Sequence, residues 1–89
     1  MSEIKMTAVE AIHSQLEVRP DTLRAEVIRS TGFIQLAVWP QCQVDYEYLR
    51  EIDTVIRSGF PSPIVWHKDG RGIHAEVINY PFSLTVYEN

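Results

Sequence analysis

The chain predicts an α+β fold: a five-stranded, mainly antiparallel sheet with two helices packed on one face, in the order α-β-β-α-β-β-β. Three observations carry this. Val9, Ile12 and Leu16, and again Leu49, Ile52 and Ile56, recur at helical spacing. The segment "LRAEVIRSTGFIQLAVWP" alternates apolar and polar residues on both sides of a turn signal. The C-terminal third holds three short alternating runs, broken at Asp69-Gly70 and at Tyr80-Pro81.

The first helix is predicted over about Ala8 to Val18. Thr7 and Glu10 have the spacing of a capping box, in which hydroxyl and carboxylate each satisfy a free amide. Pro20 stops the helix, because its ring cannot continue the hydrogen-bond ladder. Residues 1–6 read as frayed or as an early helical turn.

Next comes a hairpin. A two-residue turn at Thr31-Gly32 sets Arg29 against Ile34, Val27 against Leu36 and Ala25 against Val38. Leu23, Ala25, Val27, Ile34, Leu36 and Val38 then share one face. Arg24, Glu26, Ile28, Ser30, Phe33, Gln35, Ala37 and Trp39 share the other. A competing pattern covers residues 22–31, which also fit a short helix with Asp21 as N-cap and Gly32 just past its end. The strand is preferred because one register sorts both arms at once.

The second helix is predicted from about Tyr46 to Ser58. Asp45 is a good N-cap, and Val44 and Leu49 occupy the positions of a hydrophobic staple. Leu49, Ile52 and Ile56 form its stripe, flanked by Tyr48 and Val55, and Asp53 and Arg57 are spaced as an i,i+4 ion pair. Gly59 reads as a left-handed stop, with Pro61 and Pro63 in the exit loop. Then "IVWHK", "GIHAEVIN" and "FSLTVYE" read as strands. A two-residue turn at Tyr80-Pro81 would set Val77 against Leu84 and Ala75 against Val86, with a trans bond before Pro81 the commoner outcome. Five strands span roughly 20–24 Å, which two helices of about 10 Å diameter cover once. The second sheet face is then left to solvent or to a partner.

The 89 residues fit a single compact domain, residues 1–89, and read as a complete small open reading frame. No apolar run approaches the roughly 18 residues of a membrane span. The opening "MSEIKMTAVEAIHSQ" lacks the apolar core of a secretion signal. The single Cys42 excludes an internal disulfide and points to a reducing cytoplasm. With a formal charge of −4 and no basic tract, a phosphate-tracking surface is disfavoured.

The stretch "WHKDGRGIHAE" is the one place where chemistry-bearing residues gather. A two-residue turn at Asp69-Gly70 makes His67 and His74 diagonal neighbours on one face. A four-residue loop, Asp69 to Gly72, makes them directly opposite, and a three-residue loop separates them. Glu76 shares their face in both even-numbered cases, so His67, His74 and Glu76 form a candidate metal or catalytic set. The competing reading is an ordinary polar sheet face, or a pH-sensitive partner contact. His13 reads as a boundary residue at a helix–sheet seam, and Cys42 as a loop cysteine. No phosphate loop, dinucleotide fingerprint or nucleophile elbow occurs, so no cofactor is implied.

Aromatic residues complete the picture. Phe33 and Trp39 lie on the outer face of the first hairpin beside Ile28, with Tyr80 and Tyr87 expected to join them. Tyr46 and Tyr48 form a second candidate contact surface. The sequence thus predicts a non-enzymatic protein-binding module: an inhibitor, adaptor or accessory subunit. It would bind another protein, or associate as a homodimer, through the open sheet face or an edge strand, using Phe33, Trp39, His67, His74 and Tyr87. Two alternatives stand beside it: a nucleic-acid-binding regulator that stacks bases on the open-face aromatics, and a small metal-dependent protein built on His67, His74 and Glu76.

Overall fold

A computed structural model describes residues 6–88. Helix α1 (Met6–Glu17) is followed by β1 (Thr22–Ser30), β2 (Phe33–Pro40), α2 (Tyr46–Arg57), β3 (Ile64–Lys68), β4 (Ile73–Val77) and β5 (Phe82–Val86). The element order is the predicted one. The strands form one sheet in the spatial order β1-β2-β5-β4-β3. The β2–β5 pair is parallel and the other three are antiparallel, so the sheet is mixed. Residues 22–31 are strand and turn, not helix.

Helix α1 already includes Thr7, which therefore lies inside the first turn and does not act as its N-cap. Val9, Ile12 and Leu16 are fully buried. In α2, Asp45 is the N-cap, and its Oδ1 accepts from the Tyr48 amide at 2.9 Å. The buried stripe is Tyr48, Ile52 and Ile56, with Leu49 and Val55 at its margins. The Asp53–Arg57 ion pair forms at 2.5 Å, and Asp53 also accepts from the indole N–H of Trp66 at 2.8 Å, which ties α2 to β3.

Gly59 does not adopt the expected left-handed stop, because Gly32 is the described glycine with positive φ. A Cβ at Gly59 would lie 3.1 Å from both Ala8 Cβ and Ile12 Cδ1. Its role is the close approach of α1 to the end of α2.

The first hairpin has the predicted register, with Ser30 opposite Phe33 across Thr31-Gly32. Gly32 has φ +71 and Thr31 does not have positive φ, so the turn has the type II order of angles. The register shifts between Thr22 and Arg24, and this bulge turns Leu23 out to 65% exposure instead of into the core.

Two loops are longer than the minimal turns. Lys68 pairs with Ile73, leaving the four residues Asp69 to Gly72 as the β3–β4 loop. Asp69 Oδ1 accepts from the amides of Arg71 and Gly72, and the Asp69 amide donates to the Gly72 carbonyl. That side-chain bonding favours the four-residue closure over a bare Asp-Gly turn. The β4–β5 register is displaced by two residues from the predicted one: Ala75 faces Leu84 and Ile73 faces Val86. Asn79 takes a left-handed φ of 72° in that connection, and the Ile78 amide bonds the Pro63 carbonyl. The peptide before Pro81 is trans. A shift of two leaves side-chain parity unchanged, so the faces are as predicted.

The core lies between the sheet and the helices. Val9, Ile12, Leu16, Ile52 and Ile56 meet Leu36, Val38, Leu84, Val86 and Ala75 in one cluster. Phe60 stacks on Phe82 with centroids 4.8 Å apart and closes one end.

Candidate functional site

Strand order builds a continuous row on the face opposite the helices. Reading across β1, β2, β5, β4 and β3, the pairings align Glu26, Ala37, Thr85, His74 and His67. The next row aligns Ile28, Gln35, Ser83, Glu76 and Val65. The residues sit in sequence-distant strands, and only the parallel β2–β5 pairing brings Gln35 and Thr85 to the histidines.

His67 and His74 are directly opposite, and their rings stack with centroids 5.0 Å apart. Each imidazole has its own carboxylate. His67 Nε2 donates to Glu76 Oε2 at 2.6 Å. Asp69 Oδ2 lies 3.0 Å from His74 Nε2, close enough for an ion pair but not aligned as a hydrogen bond, which leaves that buried nitrogen without a proper acceptor. Asp69 is held down to about pKa 2, first by His74 and then by the Arg71 amide.

Beneath them runs a polar chain. Gln35 Nε2 donates to Thr85 Oγ1 at 2.7 Å, and Thr85 Oγ1 is 2.9 Å from His74 Nδ1. A carboxylate beside Nε2 favours the proton on that nitrogen, so in the neutral ring Nδ1 accepts the Thr85 hydroxyl. The chain then runs in one direction, from Gln35 to Thr85 and from Thr85 to His74, whose Nε2 faces Asp69 without an aligned hydrogen bond. Hydroxyl, imidazole and carboxylate occur here in the order of a nucleophilic triad. Thr85 is 1% exposed, however, and its oxygen is not presented to a substrate. The chain fixes the His74 ring.

Above this floor is an open groove of about 260 Å³, walled by Phe33, Gln35, His67, Asp69, His74 and Glu76 and closed by Ser83 and Thr85. The two Nε2 atoms turn to different carboxylates and do not converge on one point. Among the described residues, no group of three or more His, Cys, Asp and Glu side chains is arranged to hold a metal ion. His67, His74 and Glu76 come together as part of the groove wall.

The aromatic residues divide. Trp39 and Tyr87 stack on the open face, with centroids 5.0 Å apart and planes 13° from parallel. The Arg24 guanidinium sits 4.3 Å from the Trp39 ring, with Glu26 bonded to it. Arg24 comes from β1 and Tyr87 from the end of β5, so they cover Trp39 from opposite sides. A base stacking on Trp39 would have to displace one of them. Phe33 remains exposed beside the groove. Tyr80, expected on this face, instead meets the edge of Phe60 at 5.2 Å and packs against the core. Tyr46 is exposed and Tyr48 is buried, so they do not form one surface.

No protein-family model, curated protein or solved structure matches this chain.

His13 sits at the α1–β1 seam, its Nε2 donating to the Ala25 carbonyl at 2.9 Å. Cys42 is a partly buried loop residue, and burial followed by the Asp21 charge pushes its thiol pKa up. That keeps it protonated and unlike an activated nucleophile. Gln35, Asp69, Ser83 and Thr85 were not singled out by sequence. Gln35, Ser83 and Thr85 carry the signal of outer-face parity, which becomes specific only when strand order is known, whereas Asp69 is a loop residue whose sequence signal is the Asp-Gly turn. No described helix is long and apolar enough to cross a membrane.

Proposed function

We propose that this chain is a small non-enzymatic protein-binding module, an inhibitor, adaptor or accessory subunit, that works through its open sheet face. One observation carries the reading. Ile28, Phe33 and Val65 stand 42%, 40% and 49% exposed on the face opposite the helices, around the histidine–carboxylate groove. Apolar side chains interleaved with directional polar groups on an uncovered sheet face are what a protein interface requires. Burying them is favourable, and the polar groups set register. A second copy of the chain is one such partner, and a reducing cytoplasm is the setting that a lone protonated thiol suits.

Capture experiments with a paired control test this. Phe33→Asp with Val65→Asp should abolish binding of a specific protein or abolish self-association in sedimentation. Tyr46→Asp on α2 should change neither. The reading falls if the chain is a monomer with no specific partner, or if binding depends on Tyr46 and not on the sheet face.

A further inference from the structure

We propose that the groove between His67, His74, Asp69 and Glu76 is the docking point for a basic side chain of the partner, arginine above all. This rests on the reading of the open sheet face as a binding surface and specifies the chemistry of what binds there.

The argument is one of donors and acceptors. The groove presents the carboxylates of Asp69 and Glu76. Gln35 gives one of its two amide N–H groups to Thr85, and its carbonyl oxygen remains an acceptor. The Ser83 hydroxyl adds another. No Lys or Arg is among the lining residues. Lys68, next to His67 in β3, points to the opposite face by strand alternation and pairs with Glu88 at 3.3 Å. Two carboxylates, and neither Lys nor Arg, therefore line the groove beside its two imidazoles.

An acceptor-rich, cation-free groove fits a group that only donates. Guanidinium has five donors in a planar fork and can bridge two carboxylates. Phe33 at the rim offers an aromatic face to the cation and cover to its aliphatic stem. The groove, about 260 Å³, is on the scale of one side chain and not of a folded element. An anion would be repelled, and a bare metal ion finds no convergent donors.

A hexa-arginine peptide is the probe, titrated into the full chain by heteronuclear NMR at low ionic strength, with hexa-glutamate as its counterpart. Resonances of His67, His74, Glu76 and Thr85 should shift with hexa-arginine and not with hexa-glutamate. Asp69→Asn combined with Glu76→Gln keeps the size of each side chain and should weaken binding at least about tenfold, the scale of one lost charge-assisted contact. Glu47→Gln, an exposed change on α2, should leave it unchanged. The proposal is overturned if Glu47→Gln weakens binding as much as the double variant, or if shifts spread over the helices. If the partner captured through Phe33 and Val65 binds the Asp69→Asn, Glu76→Gln variant normally, the binding surface stands and the arginine pocket falls.

Discussion

Gly72→Ala tests how the β3–β4 loop is seated, and with it the placement of Asp69. A Cβ at Gly72 would lie 2.5 Å from the Val86 carbonyl oxygen and 3.5 Å from Tyr87 Cα. Ordinary contact begins near 3.4 Å, so something must move by about 0.9 Å. The obstacle is backbone, and it cannot rotate away. Val86 pairs with Ile73 on one side and Val38 on the other, so displacing it disturbs the centre of the sheet. Overpacking of this kind costs about 1–3 kcal/mol. In a domain of this size, each kcal/mol lowers Tm by roughly 4–8 °C. Gly70 supplies the control within the same loop. A Cβ there meets nothing within 4 Å and its φ is not in the left-handed region. Gly70→Ala should be neutral or stabilising by up to about 1 kcal/mol, because it restricts the unfolded chain. The assay is thermal unfolding followed by circular dichroism, with the His74 ring resonances read by NMR. Gly72→Ala should melt several degrees lower and shift His74, whereas Gly70→Ala should do neither. Equal melting temperatures for the two variants would refute the close-approach argument.

Thr85→Val keeps the shape but removes the oxygen that accepts from Gln35 and bonds His74. It should cost about 1–3 kcal/mol in chemical denaturation and change the nitrogen-detected tautomer signal of His74, since two polar groups lose their partner. Arg19→Ala breaks the bidentate contact to Asp21 and the bond to Glu51, which join the α1–β1 connection to α2. These groups are partly exposed, so a loss of about 1–2 kcal/mol is expected, shrinking with added salt; an unchanged Tm would show that the network is idle. Asp69 has a folded pKa depressed from 3.8 to about 2, so its contribution is present above the unfolded value and is lost as pH falls toward 2. Wild type should therefore be more stable than Asp69→Asn near pH 5, and their unfolding curves should converge between about pH 4 and pH 2.

Much of the fold was legible because its signals are local. Helical stripes such as Val9, Ile12 and Leu16 need only the 3.6-residue period. Asp45 caps α2 through its own side chain, and the hairpin at Thr31-Gly32 needs only the match of two neighbouring arms. Face assignments survived even where registers slipped, because the β4–β5 displacement is two residues and side chains alternate with period two. The failures have equally specific causes. Leu23 turned outward because a bulge interrupts the alternation, and Tyr80 turned inward because Phe60 offers it an edge-on contact. Gly59 looked like a helix stop, but its small size serves contact with Ala8 and Ile12 from another element.

The sequence by itself therefore carried the two helices, the arms of the first hairpin and the alternation of its strands, and it reduced the sharing of a face by His67 and His74 to the parity of one loop. Tertiary structure decided the rest of the groove. It made the β3–β4 loop four residues long, set the histidines opposite each other, and placed β5 beside β2 so that Gln35 and Thr85 lie beneath them. The physical reason is range. Periodicity and capping act over a few residues, whereas the parallel pairing of β2 with β5 joins residues about fifty positions apart and leaves no trace in either strand alone.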